Sequence, residues 1–325
     1  MLSKSIFNRI WTCAIARIIL LIILLSNCAL ANFSIFLEND VLFDMDADYT
    51  HGTKISYSFG ESTTLNSIFE MIPIFKECKE FQYSFVLGQN IFTPFEIENP
   101  ELIKDDRPYA GYLYLGLSAL EFYSGGNRLL EITLGTIGPN SYAKEVQTEF
   151  HRLINAPKPM GWDHQLNNEL TFQLQYFDTK TVFSWGDSSK LMSDICVRTG
   201  YFLGNVQIAA ILGVDIRLGY KIPPLSGSYL IFPSHYHKTS KDPFFAYLFV
   251  GSETRAYLWN VFFDGNSMSK SHSVRKERFV SDARAGFGIG KGRFDLLVCI
   301  IDRSKEHEFQ NRTGRYSSLR VTYQF

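Results

Sequence analysis

Apolar and polar residues alternate one by one through most of this chain. Phe81, Tyr83, Phe85 and Leu87 share one parity against Gln82, Ser84 and Gly88. Leu113, Leu115, Leu117 and Ala119 form one face of the next such segment, and Leu130, Ile132 and Leu134 alternate with Glu131 and Thr133. Leu170, Phe172, Leu174 and Tyr176 oppose Thr171, Gln173 and Gln175; Val206, Ile208, Ala210, Leu212, Val214, Ile216 and Leu218 oppose Gln207, Gly213, Asp215 and Arg217. A period of two sends alternate side chains to opposite faces of a β-strand. A run of about a dozen residues is longer than most soluble strands. Apolar-out, polar-in alternation over about ten residues is what a lipid-facing barrel strand requires. The chain closes the same way, with Leu319, Val321, Tyr323 and Phe325 on one parity and Arg320, Thr322 and Gln324 on the other. Taken alone, that last segment also suits a half-buried strand of a soluble sandwich.

The pattern predicts an all-β fold, a transmembrane antiparallel β-barrel of about twelve strands, near 33–40, 50–60, 81–91, 111–123, 127–138, 168–185, 192–203, 205–220, 244–264, 276–290, 291–303 and 315–325. One segment departs from it. Over 141–155, Tyr142, Val146, Phe150 and Leu153 fall near 3- and 4-residue spacing, which predicts a short helix in a loop. An even strand count with a periplasmic N-terminus puts the connections 41–49, 92–110 and 139–167 at the extracellular rim.

The N-terminus reads as an export signal over 1–31: Lys4, Arg9 and Arg17, an apolar run Ile18 to Leu25, then Ala29-Leu30-Ala31. The remainder, 32–325, carries no repeat or linker-like stretch and reads as a single domain. No later stretch reaches the ~18 apolar residues of a membrane helix, and a closed barrel is the other way to pair every backbone group in lipid. Lys plus Arg is 32 against 33 Asp plus Glu, a balance that argues against a nucleic-acid partner. Cys13 and Cys28 leave with the signal; Cys78, Cys196 and Cys299 are too scattered for a disulfide framework or a zinc site.

Three clusters carry candidate chemistry, all beside the predicted rim. The first is Glu38-Asn39-Asp40 followed by Asp44, Asp46, Asp48, Tyr49, Thr50, His51 and Gly52. Its hard oxygens suit Ca²⁺ better than zinc, although the glycine and closing Glu of an EF-hand are missing. An ordinary acidic surface loop would look alike. The second runs from Asp105 to Gly111. There Arg107 can grip a phosphate or carboxylate bidentately, or form a structural Arg–Asp pair. The third holds Gln147 and His151, four apart on one helical face, then Pro157, Lys158, Gly161-Trp162-Asp163, Gln165 and Glu169. A histidine near its ordinary pKa can serve as a general base, though a helical one is more often a surface residue. Trp162 reads equally well as an interfacial anchor. His235 and His237 fall in a predicted periplasmic turn. With no Gly-x-Ser-x-Gly elbow, His-Glu-x-x-His motif or phosphate loop, an enzyme here would use water activated by His beside a metal.

Together, Glu38-Asn39-Asp40, Asp48-Tyr49-Thr50-x-Gly52, Asp106-Arg107-Pro108-Tyr109-Ala110-Gly111, Gln147-x-x-x-His151 and Gly161-Trp162-Asp163-x-Gln165 resemble the outer-membrane lipid A 3′-O-deacylases, in order and over essentially the whole span from Phe33 to Phe325. The resemblance implies a twelve-stranded barrel that uses Ca²⁺ to hydrolyse the 3′-O-linked acyloxyacyl ester of lipopolysaccharide. It works as a monomer among outer-membrane lipids, delivered by barrel-assembly machinery, with its site at the extracellular face. Carried onto this chain, the resemblance assigns Asn39, Asp40 and Thr50 to polar active-site positions, with Asp40 and Asn39 toward the metal. It makes His151 the general base and gives Arg107 a basic role at the substrate, joined by Lys104 and Lys158 for lipid A phosphate. One departure stands out: Pro157 occupies a place where some members carry an acidic residue, so an orienting carboxylate would have to be Asp163 or Glu169. The rim helix, by its apolar side, is expected to lie over the outer wall and form a groove for an acyl chain. A phospholipase-type esterase with the same chemistry, and a non-enzymatic structural barrel, adhesin or small pore, are the rival readings.

Overall fold

The computed structural model describes residues 31–40, 48–60, 62–75, 81–187, 190–223 and 244–325. The expected signal peptide up to Leu30 lies outside the described residues, as do Asp44, Asp46, Cys78, His235 and His237. The strands are β1 Asn32–Asn39, β2 Asp48–Phe59, β3 Phe81–Thr93, β4 Ala110–Tyr123, β5 Gly126–Ile137, β6 Glu169–Gly186, β7 Leu191–Gly204, β8 Gln207–Tyr220, β9 Phe244–Asn260, β10 Phe279–Lys291, β11 Phe294–Arg303 and β12 Gly314–Gln324. Among the described residues, three α-helices accompany them: α1 Thr63–Phe69, α2 Ala143–Ile154 and α3 Val261–Asp264. The strands close into one barrel in chain order, sealed where β1 runs antiparallel to β12 from Asn32 opposite Gln324 to Asn39 opposite Ser317.

The alternation in the sequence becomes the two faces of this wall. Leu115, Leu134, Leu170, Leu212 and Ile216 point outward and are exposed, while Glu131, Thr133, Gln173, Asp215 and Arg217 point inward and are buried. No helix among the described residues is long and apolar enough to cross a membrane. At the end that carries both termini, the rings of Tyr57, Phe59, Phe85, Tyr323 and Phe325 touch one another in a partial aromatic girdle.

The interior is packed with paired charges. Lys54 on β2 reaches Glu131 on β5 at 2.9 Å. Arg198 contacts Asp215 at 3.0 Å and Glu253 at 2.9 Å, and Arg284 meets the same Asp215 at 2.9 Å. Arg255 and Arg303 share Asp282 at 2.9 and 2.7 Å. A charge taken from water needs a close partner, and each of these has one. The pairs join strands across the lumen, so this level of the barrel is filled rather than lined as a channel.

Two features differ from the sequence-based expectation. The strand expected over 244–264 stops at Asn260, whose side chain accepts from Phe262 N at 3.2 Å and caps α3. Helix α1 was not expected. Its signal is an N-cap, Ser62, whose hydroxyl accepts from Leu65 N.

Candidate active site

The site begins with an irregularity in β2. The β2–β3 register shifts between Tyr49 and His51, so Thr50 is an extra residue, a β-bulge. Tyr49 therefore turns into the lumen, stacking edge-on against Tyr316, while His51 faces the outer wall beside Asn39. Thr50 is held by a 2.6 Å hydroxyl contact with Thr93, and its carbonyl accepts from Asn39 Nδ2 at 3.0 Å. Without the bulge, either Tyr49 or His51 would sit on the wrong face.

Helix α2 lies against this wall. Its close approach depends on Gly111 of β4, where a Cβ would collide with Ser141 Oγ and Ala143 Cβ. Gly138 N donates to the Gly111 carbonyl at 3.1 Å, and Gln89 Nε2 donates to the Ser141 carbonyl at 2.6 Å, fixing the turn that leads into the helix. Gly111→Val should lift the start of α2 from the wall. A displacement of about 1 Å can cost about 100-fold in rate, so any chemistry carried by α2 should slow by that order while the barrel keeps its folded, heat-modifiable gel mobility. Wild-type activity in this variant would show that α2 need not rest there.

The face of α2 turned to the barrel carries Ala143, Gln147 and His151, all buried. Gln147 Oε1 accepts from Trp162 Nε1 at 2.8 Å, and Trp162 packs on Tyr109 with ring centroids 4.9 Å apart. Trp162 is thus a buried brace, not an interfacial anchor. Asn155, in the left-handed region at φ 62°, ends the helix and turns the chain back, so that the Pro157 carbonyl lies 2.6 Å from His151 Nδ1. A carbonyl can only accept, so Nδ1 carries the proton and Nε2 is the basic nitrogen of the neutral ring. His151, Gln147, Asn39, Thr50 and His51 line one cavity of about 60 Å³ between α2 and the wall. His51 and Val146 also line an adjoining groove of about 360 Å³, floored by Ile55, Leu87 and Leu113.

The structure therefore gathers Asn39, Thr50 and His151, with Asp40 buried next in sequence to Asn39. Carboxylate and carboxamide oxygens are hard donors of the kind Ca²⁺ takes. His51 stood at the variable position of its motif, and only the bulge reveals that it shares the cavity.

Other expected residues lie elsewhere. Arg107 is not at the cavity. It is 1% exposed inside the barrel mouth, between Phe92 and Phe263, with Glu306 at 3.5 Å. The reason is strand parity: Arg107 leads into β4 from a loop folded over the lumen. Asp163 does not orient His151 either, since it is exposed and paired with Lys144 at 2.8 Å. Glu169 is engaged by the 266–268 turn, accepting from Ser267 N at 2.9 Å and Asn266 Nδ2 at 3.2 Å. Lys104 and Lys158 are exposed on two rim segments that Met160 N and the Ile97 carbonyl join at 2.7 Å.

Asp48, Asp106 and His307 also converge, within 4.8 Å of one another, away from this cavity. Donors already occupy the carboxylates: Gln310 and Arg312 on Asp48, backbone N–H groups of Phe95 and Arg107 on Asp106. Burial pushes the Asp106 carboxyl up, but His307 and those two N–H groups outweigh it and hold it below the usual range. The cluster ties three rim segments together.

The family model of outer membrane protein LpxR matches residues 15–325. Among solved structures, LpxR from Salmonella typhimurium is 21% identical with a TM-score of 0.75, covering 90% of this chain and 100% of that one. The β domain of the Bordetella autotransporter BrkA is 8% identical with a TM-score of 0.44, covering 91% of this chain and 97% of its own. A search of curated proteins returns no match. The family match spans nearly the whole chain, and the chain belongs to the outer membrane protein LpxR family, the lipid A 3′-O-deacylases that its motifs resemble.

Proposed function

We propose that this chain hydrolyses the 3′-O-linked acyloxyacyl ester of lipid A at the extracellular face of the outer membrane, acting as a monomer once barrel-assembly machinery has inserted it. The observation that carries the reading is the tautomer-fixed His151, set in a small, largely apolar cavity that Ile91, Val146 and Phe150 line together with Asn39, Thr50 and Gln147, beside an apolar groove on the outer wall. A lipid held in the membrane can present an ester to the first and an acyl chain to the second without leaving the bilayer.

His151 Nε2 takes a proton from water, and that water attacks the ester carbonyl. An electron pair on the oxyanion then re-forms the carbonyl, the bond from carbon to the sugar O3′ breaks, O3′ takes the proton from the imidazolium and leaves as a hydroxyl, and the fatty acid is released. The Pro157 carbonyl holds the ring in one tautomer and orientation, the task an acidic residue would otherwise perform. Asp40, with Asn39, would hold Ca²⁺. When bound, the ion supplies positive charge to the carbonyl oxygen as it becomes an oxyanion. Thr50 and Gln147 order the cavity through their hydrogen bonds. Lys104 and Lys158 offer ammonium groups to lipid A phosphates. Arg107 stays in the barrel mouth and braces it.

The test is the lipid A mass spectrum of a host that lacks such an enzyme, before and after expression of this chain. Loss of one acyloxyacyl group supports the proposal. Unchanged lipid A with new lysophospholipid would assign a phospholipase, and unchanged lipids throughout would favour a structural barrel.

A further inference from the structure

Helix α2 presents three different sides. Ala143, Gln147 and His151 face the wall, and Lys144, Arg152 and Glu149 face solvent. Between them runs an apolar strip, with Val146 41%, Phe150 40%, Leu153 78% and Ile154 42% exposed. An amphipathic helix in a globular protein turns its apolar side inward. Here the polar side is buried against the barrel, and the apolar side is left open.

We infer that this strip is a lipid-contacting surface, seated in the acyl chains of the outer leaflet that surrounds the barrel. Continuity with the membrane-facing wall selects lipid over a protein partner. Val146 borders the groove floored by Leu87 and Leu113 of β3 and β4, so the strip extends the same outward apolar surface as Leu115 and Leu134. The flanking charges fit an interface as well. Lys144 is paired with Asp163 at 2.8 Å and Arg152, next in sequence to Leu153, with Glu149 at 2.7 Å, so both cations have a carboxylate partner. A helix with one side apolar and the next charged lies in the plane of the boundary between headgroups and chains. Seating α2 on lipid would fix the height of His151 against the ester layer. The inference stands on the outer-membrane placement and needs no turnover to be tested.

Leu153→Cys, in a background whose other accessible cysteines are serine, is labelled with a small fluorophore. The protein is then reconstituted in phosphatidylcholine vesicles with plain or brominated acyl chains. A label at Leu115→Cys marks the wall, and one at Arg152→Cys marks the aqueous side. The 153 label should lose fluorescence to the brominated chains as the 115 label does, and resist iodide in the water phase. The 152 label should behave in the opposite way. Quenching of 153 by iodide but not by lipid would overturn the inference. Protection of 153 from both quenchers would also overturn it, and would point to a second copy or a chain segment covering the strip. Because lipid turnover is not measured, failure of the hydrolase reading would leave this result unaffected.

Discussion

Alanine in place of His151 should lower fatty-acid release by ~10²–10⁴-fold, the range lost with a general base. The ring is buried on the wall-facing side of α2, and its Nδ1 is committed to the Pro157 carbonyl at 2.6 Å, so Nε2 is the nitrogen able to accept a proton. The barrel should survive the change. Its continuity rests on the closed ladder of strands, and His151 belongs to a rim helix rather than to any strand. Quantified fatty acid from purified lipid A, beside a heat-shift gel of the same preparation, gives both readings. A folded His151→Ala barrel with undiminished release would remove the imidazole from the mechanism. A His151→Asn variant refines the reading: it can still donate toward the Pro157 carbonyl but has no basic nitrogen, so it should be as inactive as alanine.

Asp40→Ala should lose at least ~10²–10³-fold, the scale of removing one strong oxyanion-stabilising contribution. Asp40 is 1% exposed at the end of β1, next to the Asn39 whose amide binds the Thr50 carbonyl. A buried carboxylate at that place is an expensive group to keep unless a cation or donors engage it. Two measurements separate a metal role from a folding role. Chelation of Ca²⁺ should silence the unaltered protein and have no further effect on Asp40→Ala. Calcium should raise the thermal transition of the unaltered protein and fail to do so for the variant. If Asp40→Ala keeps both its activity and its calcium response, the ion is held by other groups.

Much of the architecture was legible because lipid and lumen impose opposite demands on neighbouring residues. The run from Val206 to Leu218 reads as a two-faced strand, and β8 alternates residue by residue from Gln207 to Leu218, while Val206 precedes it and is buried. The rim helix was legible too, but its orientation was not. Its apolar residues suggested the side that would meet the barrel, whereas Gln147 and His151 take that place because Trp162 and the Pro157 carbonyl satisfy them there. A groove does run beside the wall, with Val146 at its border rather than the whole apolar side of the helix over it. Arg107 was misplaced for a related reason: a loop residue has no parity until the strand it enters is fixed. The Pro157 carbonyl that meets His151 Nδ1 could not be read at all, since a backbone carbonyl leaves no trace in residue identity. His51 was hidden by the bulge at Thr50, which shifts the facing of every position before it.

The seam between β1 and β12 carries a consequence for assembly. Ile35 lies opposite Val321, and Phe325 N reaches the Ala31 carbonyl at 3.0 Å, so the closing hydrogen bonds join parts of the chain almost as distant in sequence as possible. Such contacts form late and slowly. Until the twelfth strand arrives, the nascent sheet has two raw margins, each able to capture a strand from another polypeptide. Shielding those margins is then a kinetic necessity, and a chain stalled one hairpin short should aggregate rather than idle as a smaller ring.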